Sequence, residues 1–511
     1  MANTAGRAHT VMHNLSLLWD ANVTARPNIG NVTVRPNIVL VLADDLDHTL
    51  DSARHALPQT QQLIGKRGAT ASNWFIHTPI CCPSRAELLA GRYFHNLRVE
   101  KHDDPGGCMQ ANLSKIYDSG YFAPAFSQFG YTVGVFGKHL NSGNPKAAPQ
   151  GVDRWLVNDG GHYLDPSFDF DGTHVTFNNC TGPCYSTAVI GNATLDWIRS
   201  VHHSTTRPFF AYVAVKAPHI QDGPGWPVAI PAPWHDTDRR FPGVLAPRTA
   251  NWNVSCPAHH WLIRSQPPMT TEQEYRSDAL YRSRLGALLA VDDLVAELIH
   301  TLDQLALLKS TYVVFTSDHG FRFGQFSMPQ GKWNAYENDL RVPFLIRGPG
   351  ITPGSTFEGL ASNVDVMPTL LDLAGGASSK PPLWDGRSAA PIILGQTQLS
   401  KASWRTDLLI EYFNHGDVVR YEHLEDTSNN SFRLLRRIDP AAQQDLSFAQ
   451  FVGPDNWDFT SPVPSAETEL FLLASDPFQM HNVFEAAAPT MRSELEATLS
   501  RLSRCKGSTC N

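Results

Sequence analysis

The sequence predicts an α/β protein: one large mixed β-sheet covered by helices on both faces, followed by a smaller C-terminal α+β domain. Three observations carry this. Short, wholly apolar runs alternate with amphipathic stretches, the pattern of strands buried between two helix layers. Polar residues gather where those runs end, and open α/β sheets place their sites at the carboxyl ends of strands. After about residue 398 the runs become shorter and lose their helical spacers. The 511 residues, 42% hydrophobic and 18% charged, suffice for a large core with an appendage.

Residues 1–36 are polar and irregular and are expected to be loose. They lack the charged n-region and continuous apolar h-region of a signal peptide. The main domain is expected over 37–398. Its first strand is Asn37–Ala43, an unbroken apolar run that ends in Asp44-Asp45. Further strands are expected at Tyr131–Phe136, Phe209–Val215, Tyr312–Thr316 and Pro343–Ile346. The clearest amphipathic helices are Ser283–Leu307 and Val364–Ala374. The stretch 220–282 is rich in Pro, Trp and His and reads as a long excursion able to shape a pocket. The C-terminal domain, 399–511, carries strand signals at Leu408–Phe413, Phe432–Arg437 and Glu469–Leu473, and a last helix near 488–503.

Composition narrows the function. The formal charge is −8 and no basic block occurs, which argues against a nucleic-acid partner. The longest apolar runs, such as Ile38–Ala43, are too short to span a bilayer. Eight Asn-x-Ser/Thr sequons, at Asn14, Asn22, Asn31, Asn112, Asn179, Asn192, Asn253 and Asn429, favour a secreted or lysosomal glycoprotein. Of the eight cysteines, Cys180 and Cys184 can bridge locally, as can Cys505 and Cys510. With Cys81 set aside as a nucleophile, Cys82, Cys108 and Cys256 form an odd set with one free thiol.

Cys81-Cys82-Pro83-Ser84-Arg85, followed by Leu89-Ala90-Gly91-Arg92, reads as a nucleophile at the first turn of a helix. Pro83 suits the first helical position, because its missing N–H would be an orphan there. Ser84 and the free amides of that turn can donate to an anion, which the helix dipole also favours. Arg85 adds a planar cation that can fork onto a tetrahedral oxyanion. Cys-Cys-Pro alone would read as a disulfide turn; the whole spacing points instead to a cysteine aimed at a sulfate- or phosphate-like group.

Two acidic strand ends, Asp44-Asp45 and Asp318-His319, can converge on one point and supply oxygen ligands to a hard cation such as Ca²⁺. Asp292-Asp293 is the same dipeptide inside a long helix and reads as a structural pair. Three more segments carry cations out of apolar surroundings: Gly137-Lys138-His139, Lys216-Ala217-Pro218-His219 and Gly331-Lys332-Trp333.

Taken together, these motifs resemble the sulfatase family, over about residues 35–400 with a weaker echo at Glu469–Val483. The nearest likeness is to its N-acetylglucosamine-6-sulfatase, heparan 6-O-endosulfatase and arylsulfatase group. Cys81–Arg85, Gly137–Asn141, His260–Arg264, Val291–Val295, Gly324–Phe326, Arg341–Phe344 and Asn363–Gly375 carry it. The resemblance implies an alkaline-phosphatase-like fold and oxidation of Cys81 to formylglycine by a formylglycine-generating enzyme. It implies one Ca²⁺ held by Asp44, Asp45, Asp318, His319 and the modified Cys81. It assigns Lys138 to the formylglycine hydroxyl and sulfate oxygens, and His219 and Lys332 to the sulfate and leaving oxygen. Arg85 joins them in holding sulfate oxygens.

Relatives often carry Lys-x-His after this glycine; here Leu140 stands two past Lys138, so the base is open among His139, His48 and Asn141. Ala90 replaces a common Thr. The implied activity is hydrolysis of a sulfate monoester, on an O-sulfated sugar such as N-acetylglucosamine 6-sulfate or on an aryl sulfate. It would pass through a formylglycine hydrate and a covalent sulfo-enzyme intermediate, in the secretory pathway, at a lysosomal or extracellular location. Two alternatives stand beside it: a phosphomonoesterase or phosphodiesterase of the same superfamily, and an inactive sulfated-glycan-binding protein.

Overall fold

A computed structural model describes residues 35–99, 108, 111–118, 120–221, 226–395, 404–413, 430–452 and 467–510. The N-terminal 34 residues, the 398/399 boundary and the sequons at Asn14, Asn22, Asn31 and Asn429 lie outside the described residues.

The strands, in chain order, are β1 Asn37–Ala43, β2 Ala69–Ala71, β3 Trp74–Phe75, β4 Thr132–Lys138, β5 Arg154–Asn158, β6 Ser167–Phe170, β7 Thr173–Thr176 and β8 Phe209–Ala214. There follow β9 Thr311–Ser317, β10 Phe344–Arg347, β11 Ser355–Phe357, β12 Ala361–Ser362, β13 Asp407–Tyr412, β14 Phe432–Asp439, β15 Gln444–Phe451 and β16 Glu467–Leu472. Ten of them form one mixed sheet in the order β11-β2-β10-β9-β1-β8-β4-β5-β6-β7. Its centre is parallel: β1 pairs with β8 and β9, and β4 with β8 and β5. β10 runs antiparallel to β9, and the β5–β6–β7 edge is an antiparallel meander.

β1 shows why the strand reads as continuously apolar. Ile38, Leu40 and Leu42 enter the core on one face; Val39, Val41 and Ala43 enter the core on the other. Successive side chains point to opposite faces, so a strand buried on both sides has no polar positions. Helices α1 Cys81–Ala90 and α4 Val366–Leu373 cover the first face; α2 Ser186–Ser204 and α3 Thr271–Gln304 cover the second. α3 starts earlier than expected, inside the Pro-rich excursion. Thr270 and Gln273 form a reciprocal capping box there, a start signal present in the sequence.

β13–β16 form a separate four-stranded antiparallel sheet. β15 was hidden from the sequence reading because its apolar residues alternate with Gln, Asp and Ser. One face of this sheet, with Leu409, Leu435, Phe448 and Leu470, packs on α5 Pro489–Leu502 through Leu495, Leu499 and Leu502. The other face, with Leu408, Ile410 and Leu434, joins the core beneath α1. The appendage is thus fused to the helix that carries Cys81.

Cys180–Cys184 and Cys505–Cys510 are bridged, and Cys82 pairs with Cys108. Cys81 and Cys256 are free and buried. Of the described sequons, Asn179 is exposed. The carboxamide of Asn253 is occupied on both sides, donating to Glu274 and accepting from the Met269 amide. None of the described helices is long and apolar enough to cross a membrane.

Candidate active site

The site lies where β1, β9, β4 and β8 end. β1 delivers Asp44 and Asp45, and β9 delivers Asp318 and His319. The turn between β1 and the next segment needs Asp45 in the left-handed region, φ 70°. Its amide then donates to Asp318 Oδ1 at 3.0 Å, while Asp318 N donates back to Ala43 O at 3.2 Å. The adjacent parallel strands therefore hold their acidic ends together.

α1 aims Cys81 at the same point. Cys81 occupies the first helical position and Pro83 the third, not the first as the sequence reading placed it. Both are tolerable, because the amides of the whole first turn lack intrahelical partners. Ser84 also differs from expectation: its hydroxyl donates to the Asp318 carbonyl and accepts from Asn363 Nδ2 at 2.9 Å. It locks the helix onto the end of β9 instead of facing an anion. Gly91, with φ 58°, closes the helix in the left-handed conformation that glycine tolerates.

The charges interlock. Arg85 Nε donates to Asp318 Oδ2 at 2.8 Å, its Nη1 to Lys138 O at 2.6 Å, and its Nη2 lies 3.5 Å from Asp44 Oδ1. Lys138 Nζ donates to Asp44 Oδ2 at 2.5 Å. Lys332 Nζ donates to Asp45 Oδ1 at 2.6 Å and lies 3.3 Å from Cys81 Sγ. His319 Nε2 also lies 3.3 Å from that sulfur, and 3.2 Å from Asp45 Oδ1. His219 Nε2 faces Asp45 Oδ2 at 3.8 Å, with its Nδ1 on the Ile220 carbonyl at 2.7 Å. His219 is the most exposed of these groups, with 15% of its side chain open.

These neighbours shift Cys81, Asp45 and His319. Burial pushes the Cys81 thiol up, but Lys138 and Lys332 outweigh it and hold it well below its ordinary value. Burial likewise opposes the ionised Asp45, and His219, Lys332 and His319 outweigh it, holding the carboxyl well below the usual range. Burial lowers His319, yet Asp318 and its neighbours push it up to about 9. A divalent cation would take over that compensation and displace the proton.

The residues fit a cation. Ligand atoms of Asp44, Asp45, Cys81 and His319 lie within 4.8 Å of one another. Asp44 Oδ1 and Asp45 Oδ2 are buried with no hydrogen-bond partner. His319 Nδ1 faces the Gly320 carbonyl at 2.9 Å, which leaves Nε2 free to offer a lone pair. Asp318 is not in this group; Arg85, the Asp45 amide and the His319 amide occupy its oxygens.

His139 is not brought to Cys81. Its ring contacts Tyr121 OH at 3.0 Å and Asn144 Oδ1 at 3.0 Å, and meets Trp155 edge-on. Burial drives it down to about 3. Asn141 is exposed, and burial with Arg341 drives His48 down to about 4. Arg284 was missed. It is fully buried on α3, donates to Asp45 O at 2.5 Å and Pro218 O at 3.0 Å, and stacks 4.1 Å from the Phe321 ring. One guanidinium thus fixes both Asp45 and the residue before His219. Its periodic place in a long amphipathic helix gave no sign of this.

A family model described as sulfatase matches residues 36–377, and one described as the C-terminal part of N-sulphoglucosamine sulphohydrolase matches 329–447. N-acetylglucosamine-6-sulfatase of Homo sapiens is 33% identical over 95% of this chain and 86% of its own length. Arylsulfatase of Chlamydomonas reinhardtii is 28% identical over 93% and 75%. A solved structure described as a complex with its substrate D-glucosamine-2-N,6-O-disulfate has the same fold, with TM-score 0.71 at 23% identity over 91% of this chain and 97% of that one. Phosphonate monoester hydrolase of Agrobacterium radiobacter shares the fold at TM-score 0.63, with 20% identity over 92% and 95%.

Proposed function

Because the chain belongs to the sulfatase family and is a sulfuric ester hydrolase, we propose that it hydrolyses the 6-O-sulfate of a glucosamine-type sugar, with formylglycine at position 81 as nucleophile. The observation that carries this is the convergence of Lys332 Nζ and His319 Nε2 on Cys81 Sγ, each at 3.3 Å, beside orphaned oxygens of Asp44 and Asp45. The full-length likeness to an N-acetylglucosamine-6-sulfatase supports the sugar class.

A thiolate suits sulfate transfer poorly, since its adduct has no easy exit. An aldehyde hydrate places two oxygens on one carbon. One attacks sulfur and becomes the ester; loss of the proton from the other restores the carbonyl and expels sulfate. Asp44, Asp45, His319 and residue 81 would hold Ca²⁺, with Asp318 bordering them. Bound there, the ion supplies Lewis acidity and charge neutralisation. Lys138 and Lys332 carry positive charge to the sulfate oxygens. Arg85 braces Asp318, Asp44 and the Lys138 carbonyl. His219, the most open of these side chains, is placed to protonate the leaving alcohol. Formylglycine formation requires a formylglycine-generating enzyme, and the three disulfides fit a secretory route.

The test pairs mass spectrometry of the Cys81 peptide with sulfate release from glucosamine 6-sulfate and 4-nitrophenyl sulfate. An aldehyde at residue 81 and preferred release from the sugar are expected. A folded protein carrying the aldehyde but releasing sulfate from neither substrate would overturn the reading. A pH–rate profile flat from about 4.5 to 7.5 would remove His219 as the acid.

A further inference from the structure

A second cluster of ligating groups lies at the seam between the main sheet and the C-terminal sheet, apart from the site above. His77 precedes α1, His95 follows it, Glu87 is on α1, and Glu411 is on β13. Ligand atoms of His77, His95 and Glu411 lie within 4.8 Å of one another, and His77, Glu87 and Glu411 are fully buried.

The tautomers are set by the backbone. His77 Nδ1 meets the Leu409 carbonyl at 2.6 Å, and His95 Nε2 meets the Cys505 carbonyl at 2.8 Å. A carbonyl only accepts, so those two nitrogens carry protons. The other nitrogens, His77 Nε2 and His95 Nδ1, both face Glu411 Oε1, at 3.1 and 2.7 Å. On neutral rings these nitrogens are bare lone pairs directed at an acceptor, so positive charge has to stand between them. Glu411 Oε2 is buried with no hydrogen-bond partner. Glu87 borders the cluster 4.0 Å from His77 Nε2, its two oxygens accepting from the Thr78 hydroxyl and from Asn363 Nδ2. Among the described residues, neither Glu87 nor Glu411 has a lysine or arginine at ion-pair distance.

We propose that His77, His95 and Glu411, with a water as fourth donor, form a structural zinc site that bolts the C-terminal sheet to the nucleophile helix. Two neutral imidazoles and one carboxylate in a closed site suit tetrahedral Zn²⁺, and the carbonyl on each far nitrogen is the usual outer partner of a zinc-bound histidine. The cation neutralises the buried Glu411 carboxylate, whose second oxygen has no hydrogen-bond partner. The proposal does not depend on the substrate or on the state of Cys81.

The test is metal analysis of the purified full-length chain. One zinc per chain is expected, with Glu411→Gln and His77→Gln each losing it while calcium and sulfate release persist. Zinc absent from wild-type protein after exposure to zinc overturns the proposal and leaves the cluster as two imidazoliums around Glu411. Zinc retained at full occupancy in Glu411→Gln also overturns it. Where the variants do not fold, cobalt titration of metal-stripped wild-type protein decides. A visible tetrahedral Co²⁺ spectrum saturating at one equivalent that zinc abolishes supports the site, and its failure to appear overturns it.

Discussion

Asp44-Asp45 and Asp292-Asp293 are the same dipeptide in two settings. The first closes a strand buried on both faces, and Arg85, Lys138, Lys332 and Arg284 lie at ion-pair distance from its carboxylates, with the rings of His219 and His319 beside them. The second sits on one face of α3. Asp292 accepts from the amides of Gln59 and Thr60 and from the Thr60 hydroxyl. Asp293 reaches His235 at 2.8 Å and is half exposed. Asp45 is held well below its ordinary range, whereas burial raises Asp292. The chemistry of an acidic pair therefore follows from what the fold places around it. α3 bears on both regions: Arg284 holds Asp45, and Asp292, two turns later, holds the segment at residues 59–60.

The hardest break is Asp45→Asn. It removes one charged oxygen of the proposed cation site while keeping the side chain's shape. Loss of a Lewis-acid centre worth several kcal/mol predicts a fall in kcat/KM of about 10³-fold, with calcium lost. Metal content and kinetics on the same preparation check this. Retained calcium with full activity would erase the distinction between the two pairs.

Arg284→Met is the next break. Arg284 holds the Asp45 and Pro218 carbonyls and also lies 3.8 Å from Asp45 Oδ2, so it positions Asp45 and the segment before His219. Outer partners of metal ligands are worth about 10- to 100-fold in affinity or activity, so the calcium Kd should rise by about that factor. Excess calcium should recover part of the activity, and Arg284→Lys part of the affinity. A variant that only loses thermal stability, with calcium affinity unchanged, would make Arg284 a packing residue.

Much of this was legible in the sequence, and for a physical reason. β1, β4 and β9 are buried on both faces, so their runs are unmistakable, and Asp44, Lys138 and Asp318 are the first polar residues past them or at their ends. The convergence of Cys81, Lys332 and His319 came from the family resemblance, since no local pattern relates segments more than 200 residues apart. What failed was orientation. Arg284 and Asp292 share one amphipathic helix and look alike until their neighbours are known. Ser84 and His139 each stand beside a site residue yet point elsewhere, a distinction set by tertiary packing.

pH separates the two regions at the level of stability. His139, on the Asp44 side, is driven down to about 3 from an ordinary value of 6.5. The unfolded chain binds a proton below pH 6.5 that the folded chain refuses until about pH 3. Stability contributed above 6.5 is therefore lost as pH falls, by about 2 kcal/mol at pH 5. His139→Gln should flatten the stability curve between pH 7 and pH 5 by about that amount. Denaturant midpoints at the two pH values check it. If the same variant also abolishes the pH dependence of kcat, His139 is the base after all, despite its contacts with Tyr121 and Asn144.

The smallest effects belong to the helical pair, and they are the control for the rest. Asp292→Ala strands the buried amide and hydroxyl of Thr60 and the more open Gln59 amide, and an unsatisfied buried donor costs about 1–3 kcal/mol. A loss of about 2 kcal/mol in unfolding free energy is expected, with kcat and calcium content unchanged. Asp293→Ala removes a half-exposed pair with His235 and should change stability by less than about 1 kcal/mol. Calorimetry beside metal analysis reads both. If Asp292→Ala lowered calcium occupancy while Asp293→Ala did not, α3 would transmit strain from residues 59–60 through Arg284 to Asp45. The two acidic pairs would then be one coupled system, because the helix would be moving Asp45 as a rigid lever instead of merely covering the sheet.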